Sequence, residues 1–398
     1  MPIRRYLFVL AAVIAFTFFS CKEAPRNFNS SLLGPDQISL DSLDSSIAGL
    51  PQTSYSFKTV VATGASYTLL LGSYASHTGN VQDASTLIRF DYSTISDTDK
   101  ASFLNGSITV NDSWIIFTKT YGFGDTSTTQ LNFGAYKINT PWTSSGFTSD
   151  SLNNFSYGSN DVSLQKELAT DSTNIYKVHI DPGTIQDEIK NFANGVWDNG
   201  LYLKPNSPGN TVWGFGASYS SYPPAIAVSV NRGGVLTDTL YFNAYSDVSV
   251  LSGNLESTAQ DFYLQTSLVG QAIISFDVSV IPSNAIINQA KLLLTVDPSN
   301  TVNGTSYISN IIAYNIADSS SKIIDSTSSP ITVSSLDSLT YQGDVTSFVQ
   351  RWVTKKQNQG LLLTPQGGLT GLDLYAFKGS NASNALQRPR LIILYTKK

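Results

Sequence analysis

The residues able to do chemistry are few. The 398-residue chain holds two His, one Cys and one Met, and its four Glu stand far apart at Glu23, Glu167, Glu188 and Glu256. A glycosidase needs an acid and a base or nucleophile with carboxylates about 5 to 9.5 Å apart, and no two Glu are close in sequence, although separate strands could bring Asp residues together. His77 sits in a Gly/Ser/Asn-rich loop and His179 in a strand. Sites built from three His or several Cys are excluded. No Gly-rich phosphate loop, metalloprotease helix motif or nucleophile elbow is present. The stretch FDYSTISDTD, with Asp91, Asp97 and Asp99, could offer hard oxygen ligands to calcium, and Asp in turns equally serves its own backbone. No other cofactor is indicated.

Recognition is better provided for. Exposed aromatic rings stack on sugar faces while amides and carboxylates bond hydroxyls; the candidates are Trp142, Trp213, Tyr219 and Tyr222, with Tyr375 and Phe377 near the corresponding place later in the chain. Trp213, Phe215 and Tyr219 are spaced to share one strand face, in the core or exposed. With Lys+Arg 24 against Asp+Glu 29 and no basic cluster, nucleic acid is excluded as a partner.

These residues must be positioned by strands. Short alternating runs such as Leu87 to Asp91, Ser107 to Val110, Ala135 to Ile138, Lys291 to Val296 and Arg390 to Tyr395, separated by Gly, Asn, Asp and Ser clusters, read as an all-β protein. The chain also repeats itself. Ile185, Ile189, Phe192, Gly200, Leu201, Leu203 and Pro205 match Val345, Val349, Trp352, Gly360, Leu361, Leu363 and Pro365 at a constant shift of 160. The first three are spaced i, i+4, i+7, one face of a short helix, with Thr184 and Asp344 as candidate caps. Upstream, Phe90 and Asp91 match Phe276 and Asp277, Ile108 and Val110 match Leu292 and Leu294, and Ala135, Tyr136 and Ile138 match Ala313, Tyr314 and Ile316. The order never changes, which predicts two homologous modules, 53–232 and 240–398.

Before them, Arg4 and Arg5 precede an apolar run from Tyr6 to Phe19, a signal segment over 1–20 too short for a comfortable bilayer span. The run ends Phe18, Phe19, Ser20, Cys21, which resembles the lipobox of bacterial lipoproteins; the resemblance implies a lipidated Cys21 and attachment to the cell envelope, with Lys22 resembling the outer-membrane or surface class. Pro25, Pro35 and Pro51 among Ser, Asp and Asn read as a flexible tether over 21–52.

The second copy reads ISFDVSVIPSNAIINQAKLLLTV, then DVTSFVQRWVTKKQNQGLLLTP, then RPRLIILYT, and resembles the DNRLRE domain family of secreted and wall-associated bacterial proteins; the first copy follows the same order more weakly. The resemblance implies two tandem jelly-roll-like β-sandwich domains, each with one short amphipathic helix, related to carbohydrate-binding modules and usually non-catalytic. The expectation is therefore a lipid-anchored envelope protein that binds polysaccharide or mediates adhesion. Two alternatives are a structural protein docking another envelope protein, and a polysaccharide lyase or hydrolase.

Overall fold

The computed structural model describes residues 39–397 apart from 126, 128, 129, 169–173 and 356. The signal segment, Cys21 and the first part of the expected tether lie outside the described residues. In chain order the elements are β1 (Ser39–Asp44), β2 (Gln52–Lys58), β3 (Thr68–Ala75), β4 (Val81–Phe90), α1 (Asp97–Asn105), β5 (Ile108–Gly124), β6 (Phe133–Lys137), β7 (Ser163–Leu168), β8 (Ile175–Ile180), α2 (Pro182–Ala193), β9 (Leu201–Pro205), β10 (Asn210–Gly216) and β11 (Ala225–Arg232). There follow β12 (Val235–Gly253), β13 (Asp261–Gln265), β14 (Gly270–Phe276), β15 (Ile286–Thr295), β16 (Asn310–Asp318), β17 (Ile323–Ile324), β18 (Ile331–Ser335), β19 (Thr340–Asp344), α3 (Thr346–Lys355), β20 (Leu361–Pro365), β21 (Leu374–Lys378) and β22 (Arg390–Lys397). The all-β expectation holds: two large antiparallel sheets, each folded over its own core, carry the few helices. No helix among the described residues is long and apolar enough to cross a membrane.

The duplication is visible strand by strand. Leu201 lies opposite Ile88 and Leu203 opposite Thr86, as Leu361 lies opposite Ile274 and Leu363 opposite Ala272. On the other side Ala135 pairs with Leu203 and Ala313 with Leu363. Gly200 and Gly360 both take positive φ, 78° and 89°, and a Cβ on either would run into the carbonyl of Ile88 or Ile274, so only glycine lets the chain enter this strand. The helix faces behave as their spacing predicts: Ile185 and Ile189, like Val345 and Val349, are fully buried. The cap of α2 is Asp181, with Pro182 in the first turn, not Thr184, and Asp344 does accept from Thr346 N–H before α3.

One match needs correcting. Ile226 and Val228 follow Pro224 as Leu391 and Ile393 follow Pro389; Ile226 of β11 faces Ile115 and Leu391 of β22 faces Leu292, so Ile115 and Phe117, not Ile108 and Val110, correspond to Leu292 and Leu294. Both ladders contain a β-bulge that skips an asparagine, Asn111 in β5 and Asn288 in β15. A bulge reverses the alternation, so β5 has inward apolar residues on both sides of Asn111 and the sequence pattern fits two registers.

The module boundaries also differ from expectation. In the first module β12 runs beside β11, with Tyr241 opposite Ala227, and then beside β4, with Val248 opposite Leu87. In the second module the same two places are taken by β1, with Asp44 opposite Ile392, and by β2, with Ser54 opposite Ile274. Strand β12 precedes β13 in the chain as β1 and β2 precede β3. Each repeat therefore gives its opening strand to the other: residues 39–58 complete the module formed by 261–397, and 235–253 complete the module that starts at 68. The 39–52 part of the expected tether thus holds β1, a turn and the start of β2, tied by Asp44–Arg390 (2.5 Å) and Asp41–Lys397 (2.6 Å). The first module carries a second helix as well, α1, where an Asp-rich turn was expected.

The modules meet through equivalent strands. Leu70, Phe123 and Val212 from β3, β5 and β10 pack with Tyr263, Leu374 and Ala376 from β13 and β21 in one buried cluster. Within it Tyr121 accepts the Leu372 N–H (2.9 Å) and donates to Asp373 (3.2 Å), which also takes the Gly304 N–H (2.6 Å). Gln82 and Gln265, both buried, exchange amide hydrogen bonds at 2.9 and 2.8 Å. Tyr121, Asp373 and the two glutamines thus find their partners across the junction.

A truncated chain starting at residue 39 is expected to keep the melting temperature of the longer protein. One starting at residue 59 exposes the edges of β14 and β22, and unpaired edges aggregate. Thermal unfolding with size-exclusion chromatography checks this, and equal stability of the two truncations would refute the exchange.

Candidate functional site

The outer face of the first module's β8–β5–β11–β12 sheet gathers aromatic and polar side chains around a floor of small ones. Alternation points Ile115, Phe117, Val178, Ile226, Val228 and Phe242 into the core, which turns Trp114, His179, Ala227 and Tyr241 outward. These four lie in one row: His179 opposite Trp114, Trp114 opposite Ala227, Ala227 opposite Tyr241. Trp114 and Tyr241 therefore stand two strands apart, about 10 Å, across Ala227. Tyr241 is 62% exposed, whereas Ala227 is fully buried between its larger neighbours. Ala225 and Ser229 continue the floor on either side, with Asn243 beside Ala225.

One end of the row is polar. The His179 ring lies 5.8 Å from that of Trp114, at 30°, and its Nδ1 is 3.2 Å from Asp112 while Nε2 is 3.9 Å from Glu167. The imidazole is thus held between two carboxylates and against an indole. Such a row offers ring faces, an amide, carboxylates and an imidazole on one plane, which can stack on a sugar and bond its hydroxyls.

The second module shows which of these residues the fold requires. Its equivalent positions hold Lys291 for Trp114, Asp344 for His179, Ile392 for Ala227 and Asp44 for Tyr241. The same sheet therefore forms without the aromatic pair and without the small floor. Sequence reading missed Trp114 and Tyr241 because the repeat register was seven residues out in β5, and because β12 lay outside both expected modules.

The residues singled out from the sequence divide differently. Trp213 is fully buried, wedged against Tyr176 and Phe215 with Lys119 Nζ 3.7 Å from its ring centre. Tyr375 is buried and donates to the Ile308 carbonyl (2.6 Å), and Phe377 stacks on Phe262. Trp142 is 5% exposed; its Nε1–H donates to the Asn199 carbonyl (2.7 Å) and the Arg89 guanidinium covers its ring at 4.4 Å, leaving it at the wall of an open cleft of about 430 Å3 with Phe147 and Phe155. Tyr219 and Tyr222 are 62% and 59% exposed, on the turn before β11 that Asp247 pins through the N–H (2.7 Å) and hydroxyl (3.1 Å) of Ser218. Burial raises the Asp247 pKa to about 6. The structure brings Tyr219 and Tyr222 to one surface turn and sends Trp213 and Tyr375 to the core.

The three Asp residues considered for calcium are occupied separately. Asp99 forms two bonds to Arg232 (2.6 and 3.2 Å), Asp97 pairs with Lys100 (2.9 Å), and Asp91 accepts the Ser93 N–H (2.8 Å). Among the described residues no three His, Cys, Asp or Glu side chains group to hold a metal ion. Of the Glu residues, Glu188 is 1% exposed on α2 and accepts from the Tyr92 hydroxyl (2.7 Å). Burial, joined by repulsion from Asp198, pushes its pKa up to about 8. At the equivalent place in α3 stands the buried Phe348, so Glu188 is a polar insertion in a core position.

No protein family matches the sequence and no curated protein does. Among solved structures the chain is similar to one titled BspA_C_WT, over 83% of this chain and 90% of that one, at 8% identity and a TM-score of 0.19. It is also similar to the infectious bursal disease virus VP2 subviral particle, over 87% and 76%, at 10% identity and a TM-score of 0.13.

Glu188 gives the site's module a pH signature. In the unfolded chain it ionises near the ordinary value of 4.5, whereas the folded protein keeps the proton up to about 8. Between these values the unfolded state binds fewer protons, so stability falls as pH rises from about 4.5 to 8 and then levels. Glu188→Gln is expected to flatten that slope in denaturant titrations at pH 5 and 8; an unchanged slope would show that Glu188 is ionised in the fold.

Proposed function

We propose that this is a binding protein for a linear polysaccharide, held on the bacterial envelope by lipid on Cys21, with the Trp114–Ala227–Tyr241 face as the contact surface. The observation that carries the reading is the pair of outward aromatics in the first module at positions that its duplicate fills with Lys291 and Asp44. A sheet that folds with charged residues at both places has no packing need for Trp and Tyr. The spacing, about 10 Å across a floor of Ala and Ser, suits two successive sugar rings lying flat, each on one aromatic. His179, Asp112 and Asn243 at the ends of the row would bond hydroxyls. The resemblance of the second module's motifs to the DNRLRE family supports a non-catalytic role, as does the placing of Glu188 inside the core. Lys22 after the lipobox-like Cys21 supports placing the protein on the outer membrane or cell surface.

Affinity electrophoresis of the full chain in gels containing a series of neutral and acidic polysaccharides tests the proposal. Retardation is expected in at least one gel. Trp114→Ala and Tyr241→Ala should each weaken it by about 2 kcal/mol, roughly thirtyfold, while leaving thermal unfolding within a few degrees, because neither ring is in the core. Lys291→Ala in the second module should change nothing. Retardation undiminished by both aromatic substitutions would assign binding elsewhere and end this reading.

A further inference from the structure

A second recessed surface lies away from that face, where the exchanged strand β2 passes the connector 254–260 between β12 and β13. It is a cleft of about 400 Å3 lined by Ser56, Lys58, Asn254, Glu256, Asp261 and Asn381, among others. Its walls come from both repeats: β2 opens the first, the connector and the turn at 379–381 belong to the second. Glu256 is 1% exposed. One carboxylate oxygen, Oε2, accepts from Thr78 and from Asn80 (3.3 Å), while Oε1 is buried with no hydrogen-bond partner in the protein. A buried carboxylate oxygen without a donor is costly, and such groups mark places where something from outside completes the set.

The lining limits what that is. Asp261 Oδ2 accepts from Thr258 (3.1 Å) and Asn300 (3.0 Å), and Lys378 Nζ lies 3.0 Å from Oδ1, so the charge of this carboxylate is already paired. Lys58 donates to the Gly253 carbonyl (2.9 Å) at the same cleft. Charges of both signs line the cleft, which disfavours a lone cation or anion, and no group of three acidic or imidazole ligands is assembled among the described residues. The volume far exceeds that of an ion and its first waters. Hydroxyls and amides dominate the remainder: Ser56, Ser257, Asn254 and Asn381.

We propose that this cleft binds a neutral saccharide unit, with Glu256 Oε1 accepting hydrogen bonds from its hydroxyls and Lys58 with the amides of Asn254 and Asn381 bonding the rest. The site is independent of the Trp114–Tyr241 face and would take one or two units, such as a chain end, where the face takes a run.

Saturation-transfer NMR on the full chain, using the methyl glycosides of glucose, galactose, mannose and N-acetylglucosamine and their disaccharides as probes, tests it. Transfer is expected to at least one probe. In the Trp114→Ala, Tyr241→Ala background, which removes transfer at the face, it should weaken about ten- to hundredfold in Glu256→Gln and vanish in Asn381→Trp, a substitution at an exposed position of the cleft lining. The Trp114→Ala, Tyr241→Ala double variant should retain it, which separates this site from the face. No transfer to any probe, or transfer unchanged in both cleft variants, would overturn the proposal. So would a calcium-dependent rise in melting temperature that Glu256→Gln abolishes, since the cleft would then be a cation site.

Discussion

The constraint on which the rest depends is the exchange of opening strands between the two repeats. A strand at a sheet edge has a full row of unpaired N–H and C=O groups, and each repeat by itself lacks the strand that covers two such rows. The first repeat supplies β1 and β2 to β22 and β14; the second supplies β12 to β11 and β4. Neither module is complete without the other. The arrangement is that of a strand-swapped homodimer whose two chains have become one, and the junction fits it: β3 and β10 meet their own equivalents β13 and β21, as the same patch does on both subunits of an isologous dimer.

Function inherits this constraint. Tyr241 and Asn243 reach the candidate face on β12, while Trp114, His179 and Ala227 come from the other repeat. The cleft at Glu256 is likewise walled by β2 and by the connector that follows β12. Around Tyr121 the junction is close-fitting as well as apolar: a Cβ on Gly304 or Gly371 would overlap its ring. Burial holds the Tyr121 hydroxyl well above the usual phenol range, with the Asp373 charge adding to it. Hydrogen bonds in such a setting are strong when complete, so the two modules are fixed to one another and both candidate surfaces keep their shape.

Much of this was legible in the sequence, and the exceptions have physical causes. Period-two alternation and Gly/Asn punctuation identified the strands, and the constant shift from Ile185 to Pro205 identified the repeat, because buried helix faces and the Gly200 and Gly360 entries tolerate little change. Partnership was not legible. An alternating run such as β12 shows that a strand exists, and nothing in it says which edge it will cover. The β5 bulge at Asn111 let two registers fit the same inward residues, which moved Trp114 out of the comparison. Trp213 and Tyr375 carry the same composition signal as an exposed platform; only their neighbours Tyr176, Phe215 and Ile308 decide that they face inward.

The exchange can be measured directly at Thr53 and Ser275, opposite residues of β2 and β14 whose hydroxyl oxygens lie 2.7 Å apart on the surface. In a Cys21→Ser background, Thr53→Cys with Ser275→Cys is expected to oxidise to a disulfide within one chain, in a monomer of unchanged melting temperature. Thr53→Cys with Arg89→Cys places the second thiol on β4, where β2 would lie if each repeat kept its own strand, and is expected to stay reduced. A disulfide in the second pair, or only intermolecular disulfides in the first, would contradict the account.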